Sequence, residues 1–239
     1  MSIWATIAGT TIGLVIGGPL GALAGAALGG AADMAISAIA PERVQERRRV
    51  AFTIAAIALA AKMARADGEA TANEFRIFQR LFHVDSSESA NAHRFYNLAA
   101  QSMAGFEAYA DQAANLLGPG SPVLEDLLDA LWLIAAADGF TGDELAFLDA
   151  VAGRLGFDAA TAARIRARHT DPAEDDPWAI LGVAPGSDAA TLRAAYHALV
   201  KQYHPDRHFA EGVPAEFIRV SESRMASIND AYARLTGKR

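Results

Sequence analysis

DAATLRAAYHALVKQYHPDR, residues 188–207, is the stretch from which the rest of the chain can be placed. Leu192, Tyr196, Leu199 and Tyr203 recur at the spacing of one helical face, so Asp188 to Tyr203 reads as an amphipathic helix with those four turned to a core. Arg193, His197 and Lys201, each four residues apart, make a second face open to water. Ser187 or Asp188 is the candidate cap. Pro205 ends the run, because its ring disfavours helical geometry at His204. Downstream, Phe217, Ser221, Met225, Ile228, Tyr232 and Leu235 predict a returning helix over 214–235. Trp178, Ile180, Leu181 and Val183 predict an apolar turn packed on this pair. The result is an antiparallel helical hairpin with His204, Pro205 and Asp206 at its tip.

An imidazole beside a carboxylate invites a hydrolytic reading. That chemistry needs a nucleophile near the imidazole and a site for the oxyanion, and the sequence suggests neither. The six histidines are too scattered for a metal centre, and the chain has no cysteine for a thiolate site. No catalytic residue is assigned. The tripeptide alone carries little weight, and its setting must decide its meaning.

Upstream of the hairpin lies HTDPAEDDP, residues 169–177, whose prolines and acidic groups predict an extended, solvated linker over 169–176. Its shortness predicts that the units on either side stay near each other. Before it, residues 45–168 read as an all-helical domain, with helices at 47–66, 72–82, 88–103, 106–116, 121–137, 142–155 and 159–168. Phe52, Ala56, Leu59 and Met63 form one core stripe; Leu124, Leu127, Leu128, Leu131 and Ile134 form another.

This middle region contains a duplication. MARADGEATANEFRIFQRLF begins at Met63 and IAAADGFTGDELAFLDAVAGRLGF at Ile134. Each copy reads as a helix ending at Ala-Asp-Gly, a short loop, then an acidic residue at the start of the next helix. Gly68 and Gly139 are expected in left-handed geometry after Asp67 and Asp138. Glu74 and Glu144 stand near helix N-termini, where the dipole favours negative charge.

The first forty residues differ in kind. No charged side chain occurs from Ile3 to Ala32, and such a helix would be about 45 Å long against roughly 30 Å of hydrocarbon. Glycine recurs every fourth residue, at Gly9, Gly13, Gly17, Gly21, Gly25 and Gly29. The segment 1–40 is therefore expected to be a transmembrane helix, with the small residues allowing close approach of a second copy in a homodimer. A re-entrant hairpin turning at Gly17, Gly18 and Pro19 is the alternative. A cleaved signal peptide is excluded by the lack of any basic residue before the apolar run. Arg43, Arg47, Arg48 and Arg49 follow the run, which places the N-terminus outside and everything after Pro41 in the cytoplasm.

The formal net charge of the 239 residues is −7, unevenly spread. Residues 177–239 carry eight Lys/Arg against six Asp/Glu, whereas 46–176 carry twelve against twenty. An acidic middle opposes nucleic-acid binding, which needs a basic face for the phosphates.

Taken with these readings, the C-terminal quarter resembles the J domain of DnaJ-type co-chaperones. The resemblance rests on Trp178, LGV at 181–183, Ala195-Tyr196, HPD at 204–206 and INDAYARL at 228–235, in order and at family spacing over 176–236. The duplicated middle resembles the TerB-like helical domains, and the whole layout is similar to DjlA-type membrane-anchored J proteins. The segment RHFAEGVPAEF after the tripeptide is similar to their lengthened loop.

The J-domain resemblance implies docking on a DnaK-type chaperone, with His204, Pro205, Asp206, Arg193, His197, Lys201 and Arg207 as the contact set and stimulation of the partner's ATPase as the outcome. The TerB resemblance implies a divalent cation, with Asp67, Glu69, Glu74, Asp138, Asp143 and Glu144 at the matching positions; oxygen ligands suit Ca²⁺ or Mg²⁺. Caps and exposed carboxylates account for the same residues without a metal. Two departures stand out: the linker is shorter than is common in the DjlA type, and His197 sits where a Lys or Arg is common. The expected fold is all-α, the expected role that of a membrane-anchored co-chaperone. The competing role is a membrane-tethered metal sensor or scaffold, with the J domain as modulator.

Overall fold

The computed structural model describes residues 41–68, 71–82, 84, 86, 87, 89–102, 104–170, 176–203 and 218–237. Among them the chain is all-helical, with no strand: α1 Pro41–Met63, α2 Ala72–Leu81, α3 Ser89–Ala99, α4 Phe106–Leu117, α5 Pro122–Ala135, α6 Gly142–Arg154, α7 Ala159–Thr170, α8 Pro177–Leu181, α9 Ala189–Tyr203 and α10 Ile218–Thr236. No helix among the described residues is long and apolar enough to cross a membrane. The expected span and its glycine register, residues 1–40, lie outside the described residues.

Two helices carry the first unit. Residues 51–64 of α1 and the turn after it are all buried, so the expected stripe widens to the whole circumference, as it must in a helix surrounded by others. α3, α4, α5 and α6 pack around α1. α5 is the second central helix, with α2, α6 and α7 against it. Phe78 and Tyr96 meet at 5.1 Å between ring centroids and tie α2 to α3. The single lysine in this core, Lys62, donates from Nζ to the carbonyl oxygens of Ser102 and Ala104 at 2.6 and 2.8 Å, which satisfies an ammonium that burial would otherwise penalise.

Several boundaries differ from the expected ones, among them the end of α3, which lies at Ala99 rather than 103. α1 begins at Pro41 rather than at 47, since proline at the first helical position has its φ already set and lacks only a hydrogen that the helix would not use. The helices expected to end at 66 and 137 end at Met63 and Ala135, and the following residues make tighter turns before Gly68 and Gly139, which have φ of +130° and +91° as anticipated. α7 continues to Thr170, two residues into the expected linker. It continues because His169 is not a solvated residue: its ring stacks on Trp132 at 5.8 Å and its Nε2 lies 2.8 Å from Asp129 Oδ1.

The second unit is α8, α9 and α10. Its own apolar cluster holds Leu181, Leu192, Tyr203, Ile228 and Ala231, with Trp178, Tyr196, Leu199, Met225, Tyr232 and Leu235 packed on it. Of the two candidate caps for α9, Asp188 is the one used, its Oδ1 accepting from the Thr191 N–H at 2.8 Å. Tyr196 stacks on Tyr232 at 4.2 Å and donates its hydroxyl to Asn229 Oδ1 at 3.1 Å, which fixes α9 against α10.

Candidate functional site

α9 presents the expected basic face. With Leu192 and Tyr203 buried, the helical period turns Arg193, His197 and Lys201 outward, and all three are exposed. The helix ends at Tyr203, one residue before the tripeptide. His204, Pro205, Asp206 and Arg207 lie outside the described residues, as do His208 and Phe217.

The duplicated loops resolve into a pair of capping boxes. The Thr71 N–H donates to Glu74 Oε2 at 2.6 Å and the Glu74 N–H to Thr71 Oγ1 at 3.1 Å. Thr141 and Glu144 repeat this at 2.8 and 3.2 Å. Each Thr-x-x-Glu satisfies two orphan N–H groups at the start of its helix. Both glutamates are buried as a result. Burial, helped by the nearby charges of Glu144 and Asp67 and opposed by the Thr71 donors, pushes the Glu74 carboxyl up to about 7. The two loops also meet directly: Thr71 Oγ1 and Asn73 Nδ2 each donate to an Asp138 oxygen at 2.6 Å, which lowers the Asp138 pKa.

These carboxylates do not make a metal site among the described residues. Among the described residues, no group of three or more His, Asp or Glu side chains is gathered as an ion would require. Glu74, Glu144 and Asp138 spend their oxygens on protein donors, Asp67 and Asp143 are exposed, and Glu69 lies outside the described residues.

A third cluster was not foreseen. α5 carries Glu125, Asp126 and Asp129 on the side that α10 packs against, all three buried. From α10, Arg224 Nη1 stands 2.9 Å from Asp126 Oδ1 and 3.7 Å from Glu125 Oε1, and Nη2 pairs with Asp129. Ser221 Oγ donates to Asp126 Oδ2 at 2.6 Å. From the last turn of α9, the Tyr203 hydroxyl donates to Glu125 Oε2 at 2.8 Å, while Arg224 lies over the Tyr203 ring at 4.5 Å. On the other flank Arg168 pairs with Glu125 and reaches Asp129 at 3.3 Å, beside His169.

The electrostatics reflect the geometry. Burial alone would raise Glu125, but the guanidiniums of Arg224 and Arg168 outweigh it and its pKa is lowered. For Asp126 burial wins over Arg224 and Ser221, and its pKa is raised. Burial and the adjoining Glu125 charge raise the Tyr203 phenol, so it stays a donor.

The expected stripe on the returning helix needs one correction here. Met225, Ile228, Tyr232 and Leu235 face α9, but Ser221 faces α5. Val220 likewise joins the core of the first unit. The sequence signal that could have found this cluster is three carboxylates, two of them four residues apart, set into an otherwise apolar helix.

With the geometry in view, three family models match the chain in order. The one described as Co-chaperone DjlA transmembrane domain covers residues 1–48, Tellurite resistance protein TerB covers 53–167, and DnaJ domain covers 176–239. The α8–α10 unit thus lies in the part of the chain that matches the DnaJ domain model. The chain's domain order is that of the DjlA-type co-chaperones it resembles.

Co-chaperone protein DjlA of Escherichia coli (strain K12) is 36% identical over 61 residues, 26% of this chain and 22% of that protein. The protein of the same name from Vibrio parahaemolyticus is 37% identical over 57 residues, 24% and 20% of the two chains. That from Pasteurella multocida is 32% identical over 65 residues, 27% and 23%. The matched segment therefore spans less than a quarter of each of these relatives. No solved structure matches the chain.

Proposed function

We propose that this chain is a membrane-anchored co-chaperone whose J domain stimulates the ATPase of a DnaK-type chaperone at the cytoplasmic face of the inner membrane. The observation that carries the reading is the exposed row Arg193, His197, Lys201 on a helix that runs directly into His204-Pro205-Asp206. An acidic surface of the partner meets this row, joined by Arg207. Asp206 engages the partner beside its nucleotide domain, while His204 and Pro205 set the loop's shape. Exposed ion pairs contribute about 0–1 kcal/mol each and are screened by salt, so the encounter is brief and salt-sensitive. Such a contact suits a regulator that must leave after each cycle. The chain itself carries out no catalysis in this reading.

The match to a transmembrane domain at 1–48 supports the anchor, and Arg43, Arg47, Arg48 and Arg49 support a cytoplasmic position for both helical domains. The glycine register supports self-association of the anchor. Gly17→Leu is expected to weaken a crosslinked dimer in membranes, and the absence of any dimer in the unmutated chain would dismiss that part of the reading. The central test is His204→Gln in a single-turnover ATPase assay with a DnaK-type chaperone. Stimulation should be abolished while the helical signal and melting profile stay unchanged. Stimulation equal to wild type would exclude the proposed role of the tripeptide.

A further inference from the structure

Residues on either side of segment 204–217 bond to neighbouring residues of one helix in the other domain. Tyr203, the residue before it, donates to Glu125; Ser221, four residues beyond it, donates to Asp126. Arg224 bridges the same carboxylates and covers the Tyr203 ring, and Val220 enters the core of the first unit. The docked arrangement leaves Arg193, His197 and Lys201 exposed, so it does not cover the proposed recognition face.

We infer that the acidic row Glu125, Asp126 and Asp129 of α5 is a docking surface for the chain's own J domain, and that Glu125 and Asp126 are positioning residues for the His-Pro-Asp loop, acting through Tyr203 and Ser221. This rests on the chaperone-stimulating role proposed above. The physical reason is preorganisation. A loop whose two roots are fixed before the encounter loses less conformational freedom on binding, so the partner is captured at lower concentration. The contact with the partner is otherwise unaltered, so the maximal rate of the stimulated ATPase does not depend on docking. The helical domain is then part of the presenting machinery, and a J domain released from it acts on the same partner with weaker apparent affinity.

The test uses the full chain in detergent, with two variants that spare the J-domain core. Ser221→Asp places a further carboxylate against Asp126, and Tyr203→Phe removes only the hydroxyl that reaches Glu125. The chain has no cysteine, so a dye pair can be attached through Ala146→Cys on α6 and Ala198→Cys on α9, both exposed. Energy transfer between the dyes reports docking, and ATPase stimulation as a function of chain concentration reports function.

Ser221→Asp should lower the transfer efficiency and raise the half-maximal concentration by about threefold to tenfold, the scale of freeing one or two ordered groups, with the maximal rate kept. Tyr203→Phe should move the half-maximal concentration in the same direction by less. A simple loss of folded protein would instead lower the maximal rate and the melting signal.

The inference is overturned if Ser221→Asp lowers transfer and leaves the stimulation curve unmoved, or shifts it to lower concentration. Transfer unchanged in Ser221→Asp overturns the docking surface itself. If the unmutated chain stimulates nothing, the underlying functional reading has failed and the positioning role falls with it, while the energy transfer still decides the docking surface.

Discussion

Glu74 illustrates how a residue can look like a ligand and act as a cap. In the sequence it stands beside Asp67 in a duplicated acidic loop; in the fold its carboxyl is buried and accepts the Thr71 N–H at 2.6 Å. Burial leads the shift that brings it up to about 7. An acid whose folded pKa exceeds its unfolded value, about 4.3, takes up a proton on folding. Its contribution to stability is therefore complete below about pH 4.3 and is lost as pH rises through about 7.

Glu74→Gln removes the titration yet keeps a side chain that can close the capping box. The stability difference between wild type and Glu74→Gln, from urea unfolding, should move against wild type by on the order of 2 kcal/mol between about pH 4.5 and 8. An identical difference at the two pH values would mean that the buried carboxyl does not couple to folding. Its counterpart Glu144 makes the same box, which explains why the duplication was legible from Thr-x-x-Glu while the role of the acids was not. Spacing reveals a helix start, but only the fold reveals how the oxygens are used.

At the scale of elements, the sequence yields what repeats locally and conceals what depends on distant partners. α9 was readable because Leu192, Tyr196, Leu199 and Tyr203 mark a face and Pro205 marks its end. α10 was half readable. Its later turns obey the expected stripe, since Met225, Ile228, Tyr232 and Leu235 meet α9. Its first turns belong to the other domain, through Val220, Ser221 and Arg224.

One helix thus serves two cores in succession, and periodicity alone treats it as one. The same limit applied to α5. Its leucines announced a core stripe, but the meaning of Glu125, Asp126 and Asp129 depends on an arginine that lies 95 to 99 positions further along the chain. α7 shows the reverse case, because its last residues looked like linker by composition. The Trp132 ring and Asp129 beside His169 carry the helix onward to Thr170.

For the whole molecule, the question is whether the helical domain and the J domain unfold as one body. Each has its own apolar cluster, so neither needs the other to form a core. Among the described residues, what joins them is a buried polar network with one inserted valine. Such networks add little net stability compared with apolar packing, but removing one partner is costly, about 3–5 kcal/mol, because the opposing charge stays buried.

Arg224→Ala takes away the guanidinium shared by Glu125, Asp126 and Asp129, while Arg168 still pairs with Glu125 and Asp129. The relief available to the chain is to undock, since that lets water reach the carboxylates. Wild type is therefore expected to melt in one calorimetric transition, and Arg224→Ala in two, with the J domain melting first because its core is the smaller. Raising the salt to about 1 M should do less than the substitution, since the Debye length matters mainly for exposed charges and this network is shielded. A single transition in Arg224→Ala, at the wild-type temperature, would show that the two domains are coupled by something other than the acidic face of α5.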